Sequence, residues 1–160
     1  MHKSGIVLAA LSITLLASCQ SVTGPTSYSQ SSGDGSIKIT QLEDNKTQIG
    51  ETIYFGVDES GINSKMMSVL DAQVVYLKEN KRQSITVEGH TDEQGTREYN
   101  LGLGAKRSNS VKAYMVSQGL SSSRIDVVTY GKERPVSLCS EEKCWKENRR
   151  AVTVIAGGFN

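Results

Sequence analysis

Two oppositely charged side chains, Asp92 and Arg107, stand at positions from which they could share one ligand. Asp92 follows a run with the alternation of a strand, and Arg107 falls on the apolar stripe of a helical pattern. An arginine among apolar positions is costly unless a group pairs with its guanidinium. Arginine presents a planar fork of donors suited to a carboxylate, and aspartate accepts from an ammonium. We expect either a site for a zwitterionic ligand or a partly buried ion pair tying strand to helix.

Residues 87–111 contain the strand, turn and helix that would position these two charges. The strand alternates, so that Ile85, Val87 and Gly89 share one face. A polar turn follows over residues 92–96, where Gly95 can adopt a positive φ. The helix then places a four-residue repeat on one face, formed by Leu103, Arg107, Val111 and Met115.

The remaining pattern predicts an α+β fold. Strands are expected at residues 52–55, 84–90, 125–129 and 151–155, and helices at residues 64–79 and 96–118. Weak alternation at Ile37 and Ile39 suggests a further short edge strand. Met66 and Met67 are interpreted as core residues of the first helix rather than as a binding groove. The order β-α-β-α-β-β implies a mixed sheet with two helices packed on one face.

Composition and charge exclude several classes of function. A chain of 160 residues with 37% apolar residues can form one globular domain with its own core. The formal charge of +1 becomes zero without the segment containing Lys3, which argues against nucleic-acid binding. The chain has no G-x-S-x-G motif and too few ligands for a zinc site. His90 is interpreted as a structural residue, and we expect no enzymatic activity and no cofactor.

The N-terminus has the pattern of an exported, lipid-anchored protein. A short positive start and an apolar run at residues 6–16 precede the sequence Leu-Ala-Ser before Cys19, as in the lipobox of bacterial lipoproteins. We predict a signal peptide over residues 1–18, lipidation of Cys19 and a flexible tether over residues 19–36. An ordinary secretory signal and an uncleaved anchor are the alternatives. Gln20 stands where aspartate would signal inner-membrane retention, which favours the outer membrane.

Two further cysteines, Cys139 and Cys144, enclose a four-residue segment before the last predicted strand. Disulfides persist in the compartments reached by exported proteins, so a bridge closing this loop is our first interpretation. Two free thiols or incidental metal binding remain as alternatives.

Three separated motifs identify a known family. The runs GHTDEQGTREYN, VTYGKERP and NRRAV, in this order, resemble the OmpA-like peptidoglycan-binding domain family over residues 52–155. The resemblance implies that residues 37–160 form such a domain. It also implies that Asp92 and Arg107 hold the zwitterionic end of diaminopimelate in the stem peptide of peptidoglycan.

Five further positions are expected at this site. Phe55, Gly56 and Asp58 match a loop that flanks the ligand in the family, although a core aromatic and a turn aspartate would look the same. Asn100 and Leu103 precede Arg107 on its helix. The residues of the NRR motif, 148–150, are expected to hold the loop and the sheet edge near the pocket, and direct ligand contact by them is left open.

These expectations combine into one function. The acyl chains would lie in the outer membrane, and the domain in the periplasm would bind stem peptides non-covalently. The resemblance, which is closest to lipid-anchored members of the family, further implies partnership with the Tol proteins, TolB above all, during cell division. The alternative is a regulatory lipoprotein that keeps the fold but mainly signals to a protein partner.

Overall fold

A computed structural model describes residues 37–42 and 46–155 of the chain. The predicted signal peptide, Cys19 and the predicted tether lie outside these residues. Within the described part of the chain, no helix is both long and apolar enough to cross a membrane.

The described residues form one mixed sheet, as the sequence predicts, but it has six strands where four and a short edge strand were expected. The strands are β1 (Ile39–Gln41), β2 (Thr47–Ile49), β3 (Ile53–Tyr54), β4 (Ile85–His90), β5 (Ile125–Gly131) and β6 (Arg150–Ile155). Their order across the sheet is β1-β2-β6-β4-β5, and β3 pairs with β6 beside this path. Only β4 and β5 run parallel among these pairs, whereas β6 is antiparallel to β2, β3 and β4. The weak alternation near residue 39 corresponds to β1, which pairs with β2 as an edge hairpin.

Two long helices lie close to their predicted bounds because their first turns are capped. The side chain of Asn63 accepts a hydrogen bond from the Met66 amide at the start of α1 (Ser64–Glu79). The side chain of Thr96 accepts one from the Tyr99 amide at the start of α2 (Arg97–Ser117). Beyond α2, Gly119 adopts a φ of 94°, which few residues with a side chain tolerate.

The core lies between these helices and one face of the sheet. It contains Ile85 and Val87 from β4, which alternate as predicted. The helical residues of this core are Met66, Leu70, Val74 and Leu77 from α1, and Val111 and Met115 from α2. The assignment of Met67 to the core was wrong. Its side chain is 39% exposed, because a step of one residue turns it about 100° away from the stripe led by Met66.

A third helix, α3 (Glu142–Asn148), stands between β5 and β6, where the sequence predicts only a loop. Its seven residues are too few to show a repeating apolar stripe, and only Cys144 and Asn148 in it are buried. A disulfide joins Cys139, just before the helix, to Cys144 within it.

Helix α2 approaches the sheet most closely at two glycines. A Cβ added to Gly89 on β4 would lie 2.0 Å from the carbonyl oxygen of Gly104. A Cβ added to Gly104 would lie 2.4 Å from Oγ1 of Thr129 on β5. Side chains larger than hydrogen therefore have no room on either surface. This contact lies one helical turn before Arg107 and sets how deeply that residue enters the domain.

We expect Gly89→Ala to lower the free energy of unfolding by about 2–4 kcal/mol, because the new methyl group overlaps backbone that cannot move independently. Urea denaturation would measure this loss. Gly102 is the control, because it lies exposed on α2 with no atom within 4 Å of an added Cβ. Gly102→Ala should stabilise the protein by about 0.5–1 kcal/mol through helix propensity. Equal effects at the two positions would contradict the close packing described here.

Candidate functional site

The sheet topology brings three chain segments to one edge. Strand β6 pairs antiparallel with both β3 and β4, through Tyr54 with Arg150 and through Gly89 with Ala151. The ends of β3 and β4 and the start of β6 therefore meet at the same edge. The loops after β3 and β4 and the residue before β6 surround the first turns of α2, which complete a small basin.

Arg107 forms the floor of this basin and is fully buried. Its guanidinium donates to three backbone carbonyls: Nε to Glu59 at 2.8 Å, Nη1 to His90 at 2.8 Å and Nη2 to Gly56 at 3.0 Å. The ring of Phe55 lies beneath, with its centroid 5.1 Å from the guanidinium carbon. These contacts compensate for burial of the charge. Burial lowers the pKa of Arg107 to about 10, while the charge of Asp92 opposes this shift, so the residue stays protonated at neutral pH.

The hydrogen bonds leave part of the guanidinium unused. An arginine side chain carries five N–H donors, and the three carbonyls take one from each nitrogen. One N–H on each of the two terminal nitrogens therefore has no acceptor among the described residues. Two such donors on one rigidly held, planar group can match the two oxygens of a carboxylate.

Asp92 pairs with a different arginine from the one that the sequence suggested. Its Oδ2 lies 3.3 Å from Nη1 of Arg149, and its Oδ1 accepts a hydrogen bond from the amide of Gln94 at 3.2 Å. The predicted alternative of a direct ion pair between Asp92 and Arg107 is therefore wrong. The reason is geometric: backbone carbonyls surround Arg107, and Arg149 reaches Asp92 from the start of β6.

A cavity of about 210 Å³ nevertheless has both predicted charges in its wall. Its lining also contains two more charged side chains, Asp58 and Arg149, so two acidic and two basic groups face one space. The remaining lining residues are Val57, Gln94, Gly95, Tyr99, Asn100 and Leu103. A larger cavity of about 430 Å³ lies beside β2, β3 and the start of α1 and contains none of the predicted site residues.

The other predicted site residues have separate roles. Phe55 and Gly56 do not line the cavity but support Arg107 from behind, through the ring and the carbonyl described above. Asn100 is buried and donates to the carbonyls of Gln94 and Thr96, so it mainly fixes the turn after β4. Leu103 supplies the apolar part of the wall.

The rim of the cavity is formed where the loop after β3 meets α2. Asp58 has a φ of 55°, and its Oδ1 accepts a hydrogen bond from the hydroxyl of Tyr99 at 2.9 Å. This hydrogen bond raises the pKa of Tyr99.

Sequence reasoning did not assign Arg149 and Tyr99 to the pocket wall. Tyr99 could have been found, because it lies four residues before Leu103 and eight before Arg107 on one helix face. Arg149 belongs to the NRR motif, for which direct ligand contact was left open. Its approach to Asp92 depends on β6 lying beside β4, and the order of strands in the sheet is not visible in the local pattern.

His90 lies on the sheet face opposite the core, and its ring is buried. Neither ring nitrogen has a hydrogen-bond partner among the described residues, and Nε2 lies 3.9 Å from the carboxylate of Glu88. The ring stacks on Tyr130 at 5.4 Å. Burial lowers the pKa of His90, the carboxylate of Glu88 opposes this shift, and the charges of Arg150 and Arg134 add to it. The imidazole is therefore neutral at pH 7.

The chain belongs to the OmpA family, whose pattern matches residues 54–150. Its relatives include the peptidoglycan-associated lipoprotein of Mesorhizobium japonicum, which is 38% identical over 98% of this chain and 95% of its own. The peptidoglycan-associated lipoprotein of Rhizobium meliloti is 40% identical over 94% of this chain and 88% of its own. The relatives are thus named as lipoproteins rather than enzymes, and the expectation that this chain is not an enzyme is confirmed.

The fold agrees with a solved structure. The crystal structure of the peptidoglycan-associated lipoprotein from Burkholderia pseudomallei aligns with a TM-score of 0.64 and 36% identity. The alignment covers 66% of this chain and 89% of that one. The predicted α+β fold with a mixed sheet is therefore confirmed.

We expect Arg107→Lys to lower the free energy of unfolding by about 2–4 kcal/mol, because a lysine ammonium cannot reach three carbonyls in the plane of a guanidinium. Thermal or urea denaturation would measure the change. Arg97→Lys is the control, because Arg97 is exposed and pairs only with Glu133 at 3.1 Å among the described residues. That variant should stay within about 0.5 kcal/mol of the parent. A tolerated Arg107→Lys would show that the three hydrogen bonds contribute little.

Stability should fall on mild acidification because of His90. Its pKa is lower in the folded protein than in the unfolded chain, so the unfolded chain binds the proton more tightly. This contribution to stability is complete above the ordinary histidine pKa of about 6.5 and is lost as pH falls toward the lower folded value. Urea midpoints at pH 7.5 and pH 5.5 would reveal the loss, which His90→Gln should reduce. The same loss in that variant would assign the effect to other groups.

Proposed function

We propose that this protein is a lipoprotein of the cell envelope that binds the diaminopimelate end of peptidoglycan stem peptides through the cavity above Arg107. The free end of diaminopimelate carries an ammonium and a carboxylate on one carbon. Binding it non-covalently would attach the lipid anchor to the cell wall. The names of the relatives, which associate them with peptidoglycan, support this proposal.

The observation that carries the proposal is the pairing of unused groups in one cavity. Among the described residues, two N–H groups of Arg107 have no acceptor, and each oxygen of the buried Asp92 carboxylate accepts only one hydrogen bond. A ligand carboxylate would bind the first and a ligand ammonium the second. The four charged side chains of the lining balance to zero, so a ligand that is itself neutral but dipolar fits best.

The cavity dimensions also suit a small group on a long chain. A volume of about 210 Å³ accommodates an amino-acid head, while the rest of the stem peptide would extend past the rim at Asp58 and Tyr99. Leu103 and Val57 would contact the methylene groups of the ligand.

The proposal also includes the attachment to the membrane and the protein partners. Cleavage before Cys19 and its lipidation would hold the protein in the outer membrane, with residues 37–160 in the periplasm. Many such anchors acting together would tether the membrane through avidity rather than through one strong contact. The resemblance supports a role beside TolB and the other Tol proteins in envelope integrity and cell division.

Asp92→Asn tests the proposal. Using the full chain solubilised in detergent, calorimetry with a diaminopimelate-containing muropeptide should show saturable binding. We expect Asp92→Asn to weaken this binding by about 2–3 kcal/mol, because the ligand ammonium loses its charged partner. Asp126→Asn, at an exposed carboxylate on β5, should leave binding unchanged.

A muropeptide with lysine in place of diaminopimelate is the matched ligand control, because it lacks the second carboxylate. It should bind much more weakly to the unaltered protein. Equal binding of both muropeptides, or no binding by a folded protein, would overturn the proposal and favour the partner-signalling alternative.

A further inference from the structure

A second carboxylate reaches the arginine that pairs with Asp92. Glu142, the first residue of α3, accepts two hydrogen bonds from Arg149: Nη2 to Oε1 at 2.5 Å and Nη1 to Oε2 at 3.3 Å. The Nε of Arg149 donates to the carbonyl of Phe55 at 3.2 Å. Arg149 is thus held between two acidic side chains and the end of β3. The hydrogen bond to Arg149 lowers the pKa of Glu142, which is ionised at neutral pH.

Several contacts around α3 fix Glu142 in this place. It lies inside the loop closed by the disulfide between Cys139 and Cys144. One turn further along α3, Nε1 of Trp145 donates to the carboxylate of Glu93, the residue after Asp92. Buried Asn148 accepts from the amides of Val136 and Ser137 and so holds the start of the loop. A seven-residue helix is not stable alone, so these contacts determine where Glu142 points.

The net charge beside the cavity depends on the contact between Glu142 and Arg149. Asp92 and Arg149 by themselves cancel, and a cancelled carboxylate attracts an ammonium only weakly. With Glu142 the group carries one net negative charge. Glu142 also takes both terminal nitrogens of Arg149 as donors, which leaves Asp92 a single contact with Arg149, at 3.3 Å. Asp92 therefore keeps capacity for a second donor.

We infer that Glu142, held by the disulfide-closed loop, is a positioning residue that determines the specificity of the cavity for ligands bearing an ammonium. It acts through Arg149 and does not itself line the cavity. This inference rests on the proposed function. It assigns a role in recognition to the segment of residues 139–144, which lies outside the pocket wall.

Glu142→Gln tests the inference. With the full chain in detergent and the diaminopimelate-containing muropeptide, we expect affinity to fall about fivefold at low salt. The effect should shrink at high salt, because Glu142 is largely exposed. Glu141→Gln is a control with the same charge change, because the carboxylate of Glu141 pairs only with Lys143, at 2.8 Å, among the described residues. It should stay within about twofold of the parent.

A second ligand separates a charge effect from a structural one. Acetylation of the free amine of the same muropeptide removes the ammonium and keeps the carboxylate. The parent and Glu142→Gln should bind this weaker ligand equally. An equal loss on both ligands would mean that Glu142 merely supports the fold, and the inference would be wrong.

Removing the disulfide tests the role of the closed loop. Cys139→Ser with Cys144→Ser should also weaken binding of the free-amine muropeptide, and should add little to Glu142→Gln, because both changes act on one contact. Fully additive losses would contradict this role.

Different results would overturn the proposed function and the role of Glu142. If the parent protein does not bind, or does not need Asp92, the proposed function fails. If it binds and needs Asp92 while Glu142→Gln stays within about twofold, only this inference fails.

Discussion

Burial of the Arg107 guanidinium is the constraint on which the rest of this structure depends. A cation with no solvent exposure must be surrounded by acceptors, and here three backbone carbonyls serve that purpose. Those carbonyls come from the end of β4 and from two positions in the loop after β3. The arginine therefore joins helix, sheet and loop at one point. The glycine contact between α2 and β4 is what allows the helix to come close enough.

The guanidinium of Arg107 has separate donors for holding the fold together and for binding a ligand. Backbone acceptors hold three donors of the guanidinium in place, and the other two have no acceptor among the described residues. Residues behind the arginine, such as Phe55 and Gly56, matter to the site without lining it. Every residue has a backbone carbonyl, so the acceptors for Arg107 depend on the backbone conformation of the loop after β3 and the end of β4, and not on particular side chains.

The sequence was most informative where a feature is local. The stripe containing Leu103 and Arg107, the alternation in β4 and the turn after it follow from periodicity and capping alone, and they place Asp92 and Arg107 beside one cavity. The partner of Asp92 was not predictable in this way. Arg149 is 57 residues away in sequence and becomes a neighbour only through antiparallel pairing of β6 with β4. Helix α3 is too short to show a repeating pattern, although the two cysteines of its disulfide are visible in the sequence.

The charges in the cavity also bear on how strongly a ligand can be held. The orientation of Arg107 is fixed before binding by three backbone carbonyls, so this group does not have to be ordered when a carboxylate binds. Asp92 is different, because Arg149 already occupies one of its oxygens and competes with any incoming ammonium. The carboxylate-binding part of the site, at Arg107, is preorganised, whereas the ammonium-binding part, at Asp92, already has Arg149 as a partner. This limits the affinity for a ligand but keeps the selectivity for a dipolar head group. Modest, reversible binding of this kind suits the proposed tether, because its strength would come from many proteins binding the cell wall at the same time.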